Sequence, residues 1–131
     1  MKSPFSVGNA IACEHLVQGQ RNKYTLINTY GGDILVKEFP AQIPLSFYIE
    51  LVPNKYGIFT LTLKLTYRKK QVVMALSDAV FEQGKIALVA IPDGVMKFEK
   101  PGILRMTITA ENCPPQIAMK KEIRLAGQGD F

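Results

Sequence analysis

The feature that most constrains the fold is a strict alternation of apolar and polar residues between Gly57 and Tyr67. Every second residue from Phe59 to Leu65 is apolar, and the residues between them are threonine or lysine. Because successive side chains of a β-strand point to opposite faces, this segment predicts a strand with one buried and one solvated face. A helix would scatter the same leucines around its circumference, so a helical interpretation is excluded.

Similar apolar segments recur along the chain, and turn residues rich in glycine and proline separate them. No amphipathic segment reaches the length of a crossover helix, although a single helical turn fits 93–98. Strands at this spacing predict an all-β fold, a two-layer antiparallel β-sandwich with about 7–9 strands. The run 85–91 is apolar after Lys85 and predicts a strand covered on both faces. The other predicted strands are 10–14, 23–30, 45–52, 72–76, 104–110 and 118–125.

Composition indicates one globular domain. The chain has 131 residues, of which 47% are hydrophobic and 21% charged, and we expect the domain to span 1–125 with a flexible tail at 126–131. The net charge of +5 is spread along the whole chain, which favours only weak attraction to anionic partners. The N-terminus lacks the apolar region of a secretory signal, and no apolar run has the length of a membrane span. We therefore expect a cytoplasmic protein with no membrane partner.

Four short motifs carry a family resemblance: Ala12-Cys13-Glu14, the segment 23–27, Tyr30-Gly31-Gly32-Asp33-Ile34, and Phe39-Pro40. This pattern resembles a family of small bacterial and phage-encoded proteins that is known only as a domain of unknown function. The segment 101–105 also looks like the Pro-Gly start of a late strand in immunoglobulin-like sandwiches. The resemblance implies an immunoglobulin-like β-sandwich and a bacterial or phage source, and it carries no activity.

Cys13-Glu14-His15 is the one grouping that could support nucleophilic chemistry, because residues i and i+2 of a strand share a face. No third group that would orient the histidine and no oxyanion-hole motif accompany it, so a Cys-His enzyme is the most distant hypothesis. We expect Cys13 to be buried and inert. A reducing compartment favours free thiols at Cys13 and Cys113, while a bridge between them stays open.

Cofactor sites have little support in the sequence. One histidine and two distant cysteines fall short of the ligands of a structural zinc site, and no glycine-rich loop precedes a helix to bind phosphate. Tyr30-Gly31-Gly32-Asp33 could line a ligand or cation site. A turn is the favoured interpretation, since glycine and aspartate are the residues that turns require. We therefore expect no cofactor and no metal.

Two functions of different classes remain. The leading hypothesis is a non-enzymatic binding or assembly module with a protein partner or self-association, in which Tyr48, Tyr56 and Tyr67 are candidate interface aromatics. The alternative is a weak anion- or nucleic-acid-binding protein that uses the basic turn Arg68-Lys69-Lys70. The same lysines also serve solubility and edge protection, so we expect no specific nucleic-acid binding.

Overall fold

A computed structural model describes residues 2–21 and 23–127, and this part of the chain consists of β-strands joined by turns. None of the residues described forms a helix long and apolar enough to cross a membrane. The strands within these two ranges are β1 (Phe5–Gln18), β2 (Tyr24–Thr29), β3 (Ile34–Val36), β4 (Ala41–Pro53), β5 (Gly57–Tyr67), β6 (Lys70–Phe81), β7 (Ala87–Phe98), β8 (Gly102–Ala110) and β9 (Gln116–Leu125).

Two sheets form the two layers, which confirms the predicted all-β, sandwich-like architecture. Sheet A has four strands in the order β2-β1-β4-β7, and sheet B has five in the order β3-β9-β8-β5-β6. The strand pairs are antiparallel apart from β3 and β9, which run parallel. This departs from a purely antiparallel sandwich, because the chain leaves the edge of sheet A after β2 and joins the edge of sheet B beside β9.

The core lies between the two sheets, on the faces that the alternation predicts. Leu61, Leu63 and Leu65 of β5 are buried, while Thr60 and Lys64 are exposed. Inward-facing residues of β4 in sheet A and of β8 in sheet B belong to the same core as these leucines. These buried residues are Phe47, Ile49, Leu51, Leu104, Met106 and Ile108.

The region 85–98 differs from its prediction in two ways. β7 is an edge strand of sheet A, so the expectation of cover on both faces is wrong, and Leu88 and Val95 are exposed. The predicted helical turn at 93–98 is also wrong, because this segment continues the ladder with β4 as far as Phe98. Pro92 lies where the register with β4 shifts, between Ile91 and Gly94. Proline is tolerated there, because edge strands and bulges are the places in a sheet that accept a residue without an N–H.

The hairpin between β5 and β6 closes through a two-residue loop, as the basic turn predicts. Arg68 and Lys69 have φ angles of 51° and 65°, which match the loop of a type I′ turn. At the opposite edge of sheet B, the Ala126 N–H donates to the Val36 carbonyl at 2.9 Å. Ala126, the first residue of the predicted tail, is therefore hydrogen-bonded to the domain. Positions 128–131 of that tail lie outside the described residues.

Candidate functional site

Among the strands within the described residues, β6 has the most exposed side chains, and we call this strand the β6 edge. It forms a ladder with β5 alone, and nearly every side chain from Lys70 to Val80 is exposed. Several of these side chains are large and apolar: Met74 is 57% exposed, Leu76 70% and Val80 60%. Soluble proteins usually place such residues against a core or an interface. The β6 edge is therefore the main candidate for a binding surface.

The register with β5 explains why these side chains face outward. Met74 pairs with Lys64 and Leu76 pairs with Thr62, on the polar face of β5 that points away from the core. Their neighbours Val73 and Ala75 pair with the core residues Leu65 and Leu63 and point inward. Both faces of β6 are thus apolar, although only the inward face adjoins the core.

The four edge strands within the described residues differ in how far they are protected. β3 has three residues and β2 six, so both are short. β7 carries Pro92 and Gly94, and a Cβ atom at Gly94 would lie 2.9 Å from the Leu45 carbonyl oxygen. β6 has 12 residues without proline, and its only charged residues are Lys70 and Asp78. Long, apolar edges of this kind pair readily with further strands.

An apolar cleft of about 270 Å³ separates β6 from β7, where the edges of the two sheets lie side by side. Its walls reach into the core, so the sandwich is open along this side. Sheet A contributes Phe47, Ile91 and Val95, and sheet B contributes Leu65, Val73 and Met106.

The basic turn lies at one end of the β6 edge, where the fold brings further cations to it. Lys97 and Lys100 line the same surface depression as Arg68 and Lys70. Two of these cations already have partners. The Arg68 guanidinium donates to the Pro101 carbonyl at 2.5 Å, and the Lys97 ammonium lies 3.5 Å from the Glu99 carboxylate. The cluster is therefore denser than the sequence suggests, but it is partly neutralised.

The candidate interface tyrosines do not form one surface. Tyr48 lies on β4 of sheet A, where its ring meets that of Tyr24 at 5.8 Å, and Tyr56 is exposed in the turn before β5. Tyr67 lies at the opposite end of β5 and is only 8% exposed. The Tyr67 hydroxyl donates a hydrogen bond to the Lys100 carbonyl, which fixes the end of β5 next to the basic turn. Of the three side chains, Tyr56 is the one that is largely accessible.

Cys13, Glu14 and His15 are not arranged as a nucleophile with its base. Cys13 is fully buried, and its thiol donates to the backbone carbonyl of His15 at 3.2 Å. Burial raises the pKa of this thiol, although a backbone hydrogen bond from Ile27 opposes the effect. A raised pKa disfavours the thiolate, which is the nucleophilic form. Glu14 accepts a hydrogen bond from the Asn28 amide at 3.2 Å instead.

The segment Tyr30–Asp33 forms a turn that is tied to β9. The Lys121 ammonium donates to the carbonyls of Tyr30 and Gly32 at 2.8 Å and 2.7 Å, and the Arg124 guanidinium donates to the Asp33 carboxylate at 3.2 Å. Burial lowers the pKa of Lys121, while the nearby Asp33 raises it. These contacts give Asp33 and both carbonyls a structural role. They anchor the short parallel strand β3 beside β9.

The sequence did not predict the β6 edge as a binding surface, because Val72, Met74 and Leu76 alternate in the same way as residues that face a core. The available signal was the apolar character of both faces, together with the scarcity of charge between Lys70 and Asp78. Within the described residues, no three histidine, cysteine or acidic side chains lie close enough to hold a metal ion. Comparisons with models of protein families, with curated proteins and with solved structures found no match.

Proposed function

We propose that the protein is a non-enzymatic binding or assembly module, and that the β6 edge is its protein-binding surface. One observation carries this proposal: a 12-residue edge strand exposes apolar side chains on both of its faces. Its backbone groups on the side away from β5 are available to a further strand. Main-chain hydrogen bonds would supply affinity, and the alternating side chains would supply specificity.

Ile58 extends the apolar surface beyond the strand itself. It lies opposite Val80 on the outer face of the hairpin and is 72% exposed. The polar residues of the same face, such as Thr62 and Lys64, would then form the rim of an interface. Apolar side chains at the centre and polar side chains at the rim are typical of protein–protein interfaces. This arrangement favours a protein partner over a small molecule.

We infer further that the sandwich is of the immunoglobulin-like type. In immunoglobulin domains one sheet contains strands C, F and G, variable domains extend it with C′, and strands B and E pair in the other sheet. The order β9-β8-β5-β6 corresponds to G-F-C-C′, and the pair β4-β7 corresponds to B-E. This correspondence supports the fold type that the resemblance implies. The bacterial or phage source and the cytoplasmic location stay predictions of the sequence.

Weak anion binding is a second candidate, and the gathering of Lys70, Lys97 and Lys100 around one depression favours it. Affinity for phosphate depends on how many phosphates are neutralised and falls as salt rises. We expect this cluster to bind oligonucleotides only in the range of non-specific binding, weaker than ~1 μM at physiological salt. Fluorescence anisotropy at ~150 mM salt measures this affinity. Sub-micromolar binding that is lost in Lys69→Ala/Lys70→Ala would make the anion function primary.

A photo-crosslinking amino acid placed at position 76 tests the leading proposal in the cells that produce the protein. The matched control is the same amino acid at position 56, because Tyr56 is also exposed but lies at the far end of β5. We expect one discrete protein adduct from position 76 and none from position 56. Absence of an adduct from position 76, or the same adducts from both positions, would refute the β6 edge as the binding surface.

A further inference from the structure

We propose that the partner of the β6 edge is an extended segment of another protein that is apolar in its middle and acidic at one end. This inference rests on the proposed function, because it requires the β6 edge to be a protein-binding surface. A groove between β6 and β7 provides the place for this segment, and the charges at the two ends of the groove determine its chemistry.

The groove runs along the open side of the sandwich, between the edge strands of the two sheets. Three depressions follow one another along it, and both strands line each of them. β6 contributes Lys70 to the first, Val73 to the second and Ala79 to the third. The β7 residues of the same depressions are, in this order, Lys97, Val95 and Ala87. We call the three depressions together the β6–β7 groove.

The middle of the β6–β7 groove is apolar on both walls. It is the cleft of about 270 Å³ between the two edges, and core residues form its floor. Val73 on β6 is 49% exposed and Val95 on β7 is 60% exposed, so the described residues cover neither wall. Burial of apolar surface is the main favourable contribution to most protein association. The matching part of the partner is therefore apolar.

Unpaired backbone groups favour an extended peptide as the occupant. Within the described residues β6 forms a ladder with β5 alone, so the N–H and C=O groups on its other side have no strand partner. An extended segment can pair with these groups and direct every second side chain into the groove. An acyl chain or a helix would fill the apolar middle but would leave the backbone groups unpaired.

The groove is basic at the start of β6. Lys70 pairs with the inward-facing Tyr67, so it lies on the face of β6 that adjoins the groove. The Glu99 carboxylate lies 3.5 Å from the Lys97 ammonium, and the Arg68 guanidinium donates to an uncharged backbone carbonyl. The described charged side chains of this depression therefore leave three positive charges uncompensated, and a partner carboxylate opposite Lys70 would lie among them. These side chains are Arg68, Lys70, Lys97, Lys100 and Glu99.

The charge is opposite towards the end of β6. Asp78 pairs with Thr60 on the outer face, and the Thr60 hydroxyl donates to its carboxylate at 2.9 Å. A hydroxyl is uncharged, so this contact does not neutralise Asp78. In the turn that follows β6, Lys85 pairs with Glu82 at 2.8 Å. Acidic side chains of a partner would therefore be attracted to the start of β6 and repelled from its end, which determines where the acidic end of the partner lies.

Selection from a phage-displayed library of random peptides tests this chemistry with the purified protein. The peptides have 12 residues, which is the length of β6. We expect the selected peptides to combine an apolar middle with aspartate or glutamate at one end only. Selected peptides that are neutral or basic at both ends, or the failure of any peptide to be enriched, would overturn the inference.

A charge reversal tests the basic end of the groove. Lys70→Glu/Lys100→Glu should bind the selected acidic peptides about tenfold more weakly or worse, and a new selection on this variant should enrich lysine or arginine at the same end. The matched control is Lys2→Glu/Lys55→Glu, which changes the net charge equally at exposed lysines. Lys2 precedes β1 and Lys55 lies in the turn before β5, whereas the basic turn follows β5. Equal losses in the two variants would mean that net charge alone attracts the peptides, and would contradict recognition by the basic end.

Backbone N-methylation of a selected peptide tests strand pairing independently of charge. The N–H groups of alternate residues in a strand point to the same side. Methylation at one set of alternate positions should therefore abolish binding, while methylation at the other set should be tolerated. Equal effects of the two sets would overturn the pairing of an extended segment with β6.

The photo-crosslink at position 76 distinguishes this inference from the proposed function. Mass spectrometry of the adduct identifies the crosslinked segment of the partner, which we expect to be apolar with acidic residues at one end. The adduct should also be lost in the Lys70→Glu/Lys100→Glu protein. An adduct with a segment that lacks acidic residues, or with a second copy of this chain, would overturn the acidic segment while the β6 edge remained the binding surface. Absence of any adduct would refute both.

Discussion

The ring of Tyr67 packs on the ring of Phe98 with centroids 4.6 Å apart and planes inclined by 59°. Tyr67 ends β5 in sheet B and Phe98 ends β7 in sheet A, so this contact joins the two layers at the end of the domain that carries the basic turn. The Tyr67 hydroxyl donates to the Lys100 carbonyl, and the Arg68 guanidinium donates to the next carbonyl, that of Pro101. The hairpin of β5 and β6 is therefore fixed where the β6 edge begins.

Removal of the Tyr67 hydroxyl should destabilise the protein through the unpaired Lys100 carbonyl. We expect Tyr67→Phe to lower the free energy of unfolding by about 0.5–1.5 kcal/mol, the usual contribution of such a hydrogen bond. Urea denaturation measures the change. Tyr56→Phe is the matched control, because Tyr56 is exposed. Equal effects of the two substitutions would show that the Tyr67 hydroxyl has no structural role.

Two leucines on neighbouring strands provide a test of the assigned faces. Leu61 is fully buried and Leu76 is 70% exposed, so the same substitution should have different effects. We expect Leu61→Ala to cost about 2–5 kcal/mol of unfolding free energy, as truncation of a core leucine does. Leu76→Ala should change it by less than about 0.5 kcal/mol in dilute solution. A large loss from Leu76→Ala in dilute solution would place that side chain in the core.

Tyr30 should make stability depend on alkaline pH. Burial first, and then the charges of Glu14 and Cys13, raise the pKa of Tyr30 from 10.0 to about 12. Below pH 10 the phenol is neutral in both states. Between pH 10 and 12 the unfolded chain loses this proton before the folded protein does, so the free energy of unfolding decreases as pH rises.

The substitution Tyr30→Phe isolates this effect. It also removes the hydrogen bond from the Tyr30 hydroxyl to the Pro44 carbonyl at 2.9 Å, so the variant should be less stable at pH 7. The difference between the two proteins should shrink as pH rises from 10 to 12. Denaturant unfolding at pH 7, 9, 10.5 and 11.5 follows it. A difference that stays constant over this range would mean that Tyr30 ionises alike in both states.

The two cysteines should react at different stages. Both are free thiols in the structure, with Cys13 buried and Cys113 partly exposed. We expect a thiol reagent to modify Cys113 in the native protein and Cys13 only on unfolding, because the buried, raised-pKa thiol is both inaccessible and protonated. Thiol counting under native and then denaturing, non-reducing conditions measures this. Rapid native modification of Cys13 would reopen the hypothesis of a reactive cysteine.

The strands with one buried face could be predicted from the sequence, whereas the role of each edge could not. Alternation from Phe59 to Leu65 shows directly which face meets the core, since a strand has only two faces. The mainly apolar run 85–91 fits an edge strand as well as it fits a strand that is covered on both faces. Which of the two it becomes depends on the strand order, and residues far apart in the chain determine that order.

The candidate site depends on the same missing information. Met74 and Leu76 have the spacing of core residues, and they face outward only because β5 presents Lys64 and Thr62 opposite them. The basic turn could be predicted as a hairpin loop. Its neighbours Lys97, on β7 of sheet A, and Lys100, in the turn between β7 and β8, could not be predicted. Local pattern therefore identifies the strands, and topology decides which of their side chains remain available for binding.

Amide hydrogen exchange along β6 tests the central claim most directly, because pairing protects the backbone N–H groups that β6 does not donate to β5. The measurement compares the purified protein alone with the protein in complex with the partner captured at position 76. We predict slow exchange of these amides in the complex and faster exchange in the free protein, with the amides of β8 unchanged as an internal control. Exchange along β6 that is as fast in the complex as in the turn 82–84 would contradict the assignment of the β6 edge as a surface for assembly.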